Sequence, residues 1–244
     1  MKRICSLMLV LCLLIPSGAF AADLFIAQAA NFTPVLKEII PLFEKASGLK
    51  VEATYASTGK LYGQIVNDAP YDMLMAADEK RPNKLYADGL AEKPFVYAKG
   101  QVVLWSNDKN FCGDDWKATV VNPAVKRVSI ANTETAPYGT SSMKAMQAVG
   151  IWDKVQPKLV FGQSISQAFQ FASTGSADAG FCAYSSVFTE VGKKGCFAVV
   201  DEAPPVIQAA CVLKSAPHPE AAAKFVKFLS TPEVQALKIK YGYK

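Results

Sequence analysis

Residues 55–65 read YASTGKLYGQI. Just before them, Leu49, Val51, Ala53 and Tyr55 alternate with Lys50, Glu52 and Thr54, the pattern of a half-buried strand. Just after them, Leu61, Ile65 and Val66 recur on one face of a helix. A strand therefore runs into a helix through Ser57-Thr58-Gly59. A nucleotide-binding phosphate loop needs a glycine five residues before its Gly-Lys pair and Ser or Thr after the lysine. Thr54 and Leu61 occupy those positions, so both tests fail. What remains is a helix start, where the first N–H groups lack intrahelical partners and carry the positive end of the helix dipole. A glycine there admits an anion and the hydroxyls add donors, making an anion site without a lysine. The plainer reading is that Ser57 or Thr58 caps the helix.

The same junction recurs. Ala30-Asn31-Phe32-Thr33 follows the strand 24–29, Ala136-Pro137-Tyr138-Gly139-Thr140 follows 128–131, and Gln163-Ser164-Ile165-Ser166 opens a further helix. Strands at 73–76 and 179–184 and a polar helix at 79–88 continue the alternation. A short helix is expected at 186–191, strands at 197–200 and 206–213, and two helices at the end. Pro41 should kink the first helix, because it has no N–H to bond back. Repeated strand–helix units predict an α/β fold of mostly parallel sheets flanked by helices. The extended segments 95–105 and 205–213 are the longest and are expected to cross between two lobes. One lobe would take 22–101 and 210–244, the other 102–209. In open α/β sheets ligands bind at the carboxyl ends of strands, so the four helix starts are expected to face one small ligand.

The first 21 residues stand apart. Lys2 and Arg3 precede an apolar run from 4 to 15, Pro16-Ser17-Gly18 breaks it, and Ala19-Phe20-Ala21 fits a cleavage pattern. The run is short for a bilayer core of about 30 Å, so it reads as a signal peptide cut after Ala21 or one residue later. An exported chain is expected. Losing Lys2 and Arg3 takes the formal charge from +5 to +3, and the remaining lysines are scattered, which argues against nucleic acid. Cys112, Cys182, Cys196 and Cys211 remain, with no CxxC spacing, so one or two disulfides or buried thiols are expected rather than a metal site. An enzyme would need a nucleophile with a base, yet the only histidine, His218, lies between two prolines and the cysteines lack an adjacent base.

The segments AANFTPVLKEI (29–39), YASTGKLYGQIVNDAPYDMLMAADEKRPNKL (55–85), APYG (136–139) and GSADAGF (175–181) resemble the periplasmic molybdate-binding proteins of ABC importers. The resemblance runs through the mature chain and is most specific from Tyr55 to Leu85. It implies a two-lobed, monomeric solute-binding protein with two crossing hinge strands and no cofactor. Its ligand would be molybdate or tungstate, held in the interlobe cleft by hydroxyls and N–H groups and passed to an inner-membrane permease. Carried over by position, the contacts fall on Asn31, on Thr58 with Ser57 beside it, on Tyr138 and on the N–H of Ile165. The tyrosine that many members carry at the end of a later strand falls on Ala183, leaving Tyr184 without an assigned role. Sulfate is the alternative ligand of the same architecture. Phosphate keeps a proton and would call for a carboxylate acceptor, which none of the four junctions carries.

Overall fold

The computed structural model describes residues 22–111, 113 and 115–244, so the expected signal peptide lies outside the described residues. The strands are β1 (Leu24–Ala29), β2 (Val51–Ala56), β3 (Met73–Met75), β4 (Phe95–Gly100) and β5 (Val102–Ser106), then β6 (Val128–Ala131), β7 (Leu159–Gly162), β8 (Ala179–Ala183), β9 (Cys196–Val199) and β10 (Val206–Val212). The helices are α1 (Thr33–Ser47), α2 (Thr58–Ile65), α3 (Lys80–Ala87), α4 (Trp116–Val121), α5 (Pro137–Ala148), α6 (Trp152–Val155), α7 (Ile165–Ser173), α8 (Pro219–Phe228) and α9 (Pro232–Lys240).

These strands form two five-stranded sheets, in the orders β2-β1-β3-β10-β4 and β7-β6-β8-β5-β9. The α/β class expected from the alternation is the class adopted. In each sheet the strands that feed a site helix are parallel: β1 with β2, and β6 with β7. The antiparallel pairings come from β10 in the first sheet and from β5 in the second.

The extended segment 95–105 is divided at Gln101. β4 pairs with β10 in the first sheet and β5 pairs with β8 and β9 in the second, so the chain passes between sheets there. The return runs through 200–205. Residues 206–209, which the sequence reading groups with the second lobe, pair with β4 in the first sheet.

Each sheet has its own core. On one face of the first, Leu24, Ile26, Leu36, Phe43, Phe225 and Val234 bring α1, α8 and α9 together. On the other, Leu61, Ile65, Leu74 and Leu85 hold α2 and α3. The second sheet packs Val102, Val128, Ile130 and Phe181 against Trp116, Met146 and Ala168 of its helices. That cluster also includes Ala29 of β1 and Ala77 just after β3, so the two halves are in apolar contact beside Tyr138 and Ile165. Burial of such residues is the main favourable term in folding.

Several elements differ from the sequence reading. A 3-10 turn at Ala30–Phe32 precedes α1, which holds Pro41 within it as expected. The helix expected at 186–191 is a 3-10 turn, Tyr184–Phe188. Cys182 and Cys211 are buried free thiols, whereas Cys196 is disulfide-bonded.

Candidate functional site

Four chain turns meet where the carboxyl ends of β1, β2, β6 and β7 face one another. They enclose a small cavity lined by Ala29, Ala30, Asn31, Ala56, Ser57, Thr58, Ala77, Ala136, Pro137, Tyr138 and Ile165. All five residues proposed from sequence thus border one space, three from the first sheet and two from the second. The cavity volume is ≈ 10 Å³, on a scale where a single water needs about 10–15 Å³. No charged side chain lines it.

Each turn presents donors for a local reason. α2, α5 and α7 begin at Thr58, Pro137 and Ile165, so their first N–H groups have no acceptor within the helix and point toward the strand ends. Pro137 takes the first turn of α5, where a missing N–H costs nothing. Ser164 caps α7 by accepting from the Gln167 N–H at 3.3 Å, which leaves the Ile165 N–H at the helix start. Ser57 does not cap α2. Its hydroxyl instead reaches the Thr135 hydroxyl in the second half of the molecule at 3.4 Å. Thr58 uses its Oγ1 to accept the Ala77 N–H at 3.0 Å. An oxygen that accepts there keeps its own proton free to donate.

Behind the cavity lies a buried polar network. Asn31 Nδ2 donates to Gln208 Oε1 at 2.7 Å and to the Tyr243 hydroxyl at 3.1 Å. Tyr97 bonds Gln208 Oε1 and the Ala76 carbonyl, both at 3.0 Å. Gln208 Nε2 donates to the Tyr138 hydroxyl at 3.3 Å. The Asn31 backbone carbonyl accepts from Ser185 and from Tyr243, each at 2.8 Å. Burial pushes the phenols of Tyr97, Tyr138 and Tyr243 up from their ordinary value, so all three remain neutral donors at physiological pH.

The phenol of Tyr138 is therefore turned into this network and not only toward the cavity. It comes so close to Gly100 that a Cβ there would lie 1.9 Å from its oxygen. Tyr184 packs against Phe188 and Phe197 and does not border the cavity. Sequence reasoning missed Gln208, Tyr243, Tyr97 and Ser185. The one available signal was a glutamine in the middle of the apolar strand VIQAACV.

Further bonds tie the two halves together around the cavity. The Gly59 N–H donates to the Thr135 carbonyl at 2.8 Å, and Arg81 Nη2 to the Glu134 carbonyl at 2.8 Å. Lys60 Nζ reaches Gln163 Oε1 at 2.6 Å, and Ser166 donates to the Ala30 carbonyl at 2.9 Å.

Comparison with known proteins fits this architecture. Bacterial extracellular solute-binding proteins match residues 24–244. The molybdate-binding protein ModA of Rhodobacter capsulatus is 39% identical over 240 residues, covering 98% of this chain and 94% of its own. ModA of Azotobacter vinelandii is 38% identical over 235 residues, covering 94% and 93%. The solved Azotobacter vinelandii periplasmic molybdate-binding protein superposes with a TM-score of 0.85 at 31% identity, over 91% of this chain and 98% of that one. With a match spanning both sheets and the cavity between them, this chain belongs to the bacterial extracellular solute-binding proteins.

Proposed function

We propose that this protein captures molybdate, or the near-isosteric tungstate, in the cavity between its two sheets and delivers it to an ABC permease in the inner membrane. The observation that carries the reading is the cavity itself. Helix starts from both halves converge there with hydroxyl and N–H donors and without a charged side chain. A dianion held by many neutral hydrogen bonds has its charge spread without a buried cation. The ligand contacts in this reading are Asn31, Ser57, Thr58, Tyr138 and the N–H of Ile165. No carboxylate lines the cavity, which disfavours a protonated phosphate. Relatives that share 38–39% of the sequence and are named for molybdate favour it over sulfate.

The protein acts in this reading as a monomeric periplasmic binder and not as an enzyme, and it uses no cofactor and no nucleic acid. Its lobes divide at Gln101 and within 200–205, and they close over the ligand. A thermal-shift series on the mature protein with molybdate, tungstate, sulfate and phosphate tests this. Binding to the native state alone adds about 4 kcal/mol at a thousandfold excess over Kd. Large shifts with molybdate and tungstate, and little with sulfate, are expected. A shift with sulfate alone would change the ligand, and no shift with any of the four would end the oxyanion reading.

A further inference from the structure

Asn31 is 2% exposed and borders the cavity, yet both of its committed N–H groups point away from it, to Gln208 and Tyr243. Neither of those residues lines the cavity. Its side-chain oxygen Oδ1 is buried with no hydrogen-bond partner among the described residues. Buried polar atoms are nearly always paired, so an orphan beside a cavity calls for an explanation. An acceptor in that place repels an oxyanion, whereas the Nδ2 donors attract one.

Turning the Asn31 amide end for end resolves both points, but only if Gln208 turns with it. Gln208 is wholly buried on β10, at a register shift between Gln208 and Ala209, the kind of irregularity that re-aims a side chain. Its oxygen now accepts from Asn31 and Tyr97, and its nitrogen donates to Tyr138. Once both amides turn, Gln208 Nε2 donates to Asn31 Oδ1 and to the Tyr97 hydroxyl, while Tyr97 keeps the Ala76 carbonyl. Gln208 Oε1 then accepts the one proton of the Tyr138 hydroxyl, so that Tyr138 meets the ligand through its backbone N–H, the second of α5. The Tyr243 hydroxyl, which had accepted from Asn31, then donates to Asn31 Oδ1, so that this oxygen is paired and both Asn31 N–H donors are released to the cavity, while the buried Gln28 Oε1 is unaffected.

We propose that Gln208 is a positioning residue that sets the direction of the Asn31 amide, and that the oxyanion binds with both amides turned. The proposal rests on the reading of the cavity as an oxyanion site. Gln208 sits on the strand that follows the return between the sheets and bonds a cavity residue from each half, Asn31 and Tyr138. It thus links the donor set of one lobe to that of the other without touching the ligand.

A double-mutant cycle read by molybdate titration tests the proposal. Gln208→Met, of similar length but without an amide, should weaken molybdate binding roughly tenfold, the worth of one well-placed hydrogen bond to a charged group. In an Asn31→Ala background the same substitution should change affinity less than about twofold, because the amide it positions is gone. In a Thr58→Val background it should keep its full effect. General damage to the fold would lower affinity in both backgrounds. Equal effects in all three, or none in the wild-type background, overturn the proposal.

A second measurement needs no substitution at Gln208. In the amide NMR spectrum of the otherwise native protein, the side-chain NH2 signals of Asn31 and Gln208 should move together on adding molybdate. A Gln208 signal that stays fixed while that of Asn31 moves overturns the proposal. Failure of the native protein to bind molybdate overturns the oxyanion reading and this inference with it. Native binding with an additive cycle overturns the inference alone.

Discussion

Thr58 accepts a backbone hydrogen bond from Ala77 through the same oxygen whose proton is left to give away. That arrangement fixes the rotamer and aims the donor, because accepting the Ala77 N–H leaves few directions for the O–H. Thr58→Val keeps the shape and removes the donor. It should weaken molybdate binding by roughly 1–3 kcal/mol, as should Asn31→Ala, the range for hydrogen bonds to charged groups. Isothermal titration of the two variants checks this, and full affinity in both would remove the site assignment. At this scale the sequence was legible where function depends on local structure. Ser57, Thr58, Tyr138 and Ile165 each sit at a helix start that hydroxyl, glycine and proline residues announce. It was not legible where partners are distant along the chain. Asn31 meets Gln208 and Tyr243 across 177 and 212 residues, and no local pattern encodes such a contact.

Among the elements, α2 meets the other half directly. α2 brings its second residue, Gly59, against Thr135 so closely that a Cβ would lie 2.9 Å from both Thr135 Cα and Cβ. The same glycine donates its N–H to the Thr135 carbonyl. The two nearest atoms belong to the other half, and the third, Arg81 Nη2 at 3.1 Å, is the end of a flexible side chain of the same half. Gly59→Ala should therefore have opposite effects on the separated and the approached halves. Within α2 alanine is the better helix former, by about 1 kcal/mol, which favours the free protein. Across the cleft the added methyl overpacks a contact at a cost of about 1–3 kcal/mol. Melting of the ligand-free protein should be unchanged or raised, while molybdate affinity falls roughly tenfold. Equal affinity would mean that ligand capture does not bring α2 against Thr135.

Long elements were readable from periodicity, as with α1 and its Leu36, Ile39 and Phe43 face. β7 escaped notice because four residues, LVFG, carry no alternation to recognise. α4 and α6 are six and four residues long, too short for a helical stripe to repeat.

For the whole molecule, the decisive feature is that two complete sheets, each with its own core, share few covalent crossings. The chain passes at Gln101 and returns through 200–205. Hydrogen bonds join the halves around the cavity, among them Gly59 to Thr135, Lys60 to Gln163, Arg81 to Glu134 and Ser166 to Ala30, and behind it, where Ser185 bonds Asn31 and Gln208 bonds Tyr138. Those of Lys60 and Arg81 are exposed to solvent, where an intramolecular hydrogen bond replaces one to water and contributes little alone. A ligand that takes hydrogen bonds from both halves supplies the difference in affinity between open and closed forms, and only such a difference shifts the equilibrium. This division was visible in sequence as two long extended segments, but its exact return point was not. Pairing of residues 206–209 with β4 is decided by the neighbouring strand and not by their own composition.

Small-angle X-ray scattering of the mature protein, titrated with molybdate, reads the closure of the two halves over the ligand. The radius of gyration should fall as molybdate is added and level off at one equivalent per chain. A scattering curve that stays unchanged through millimolar molybdate would rule out closure on binding.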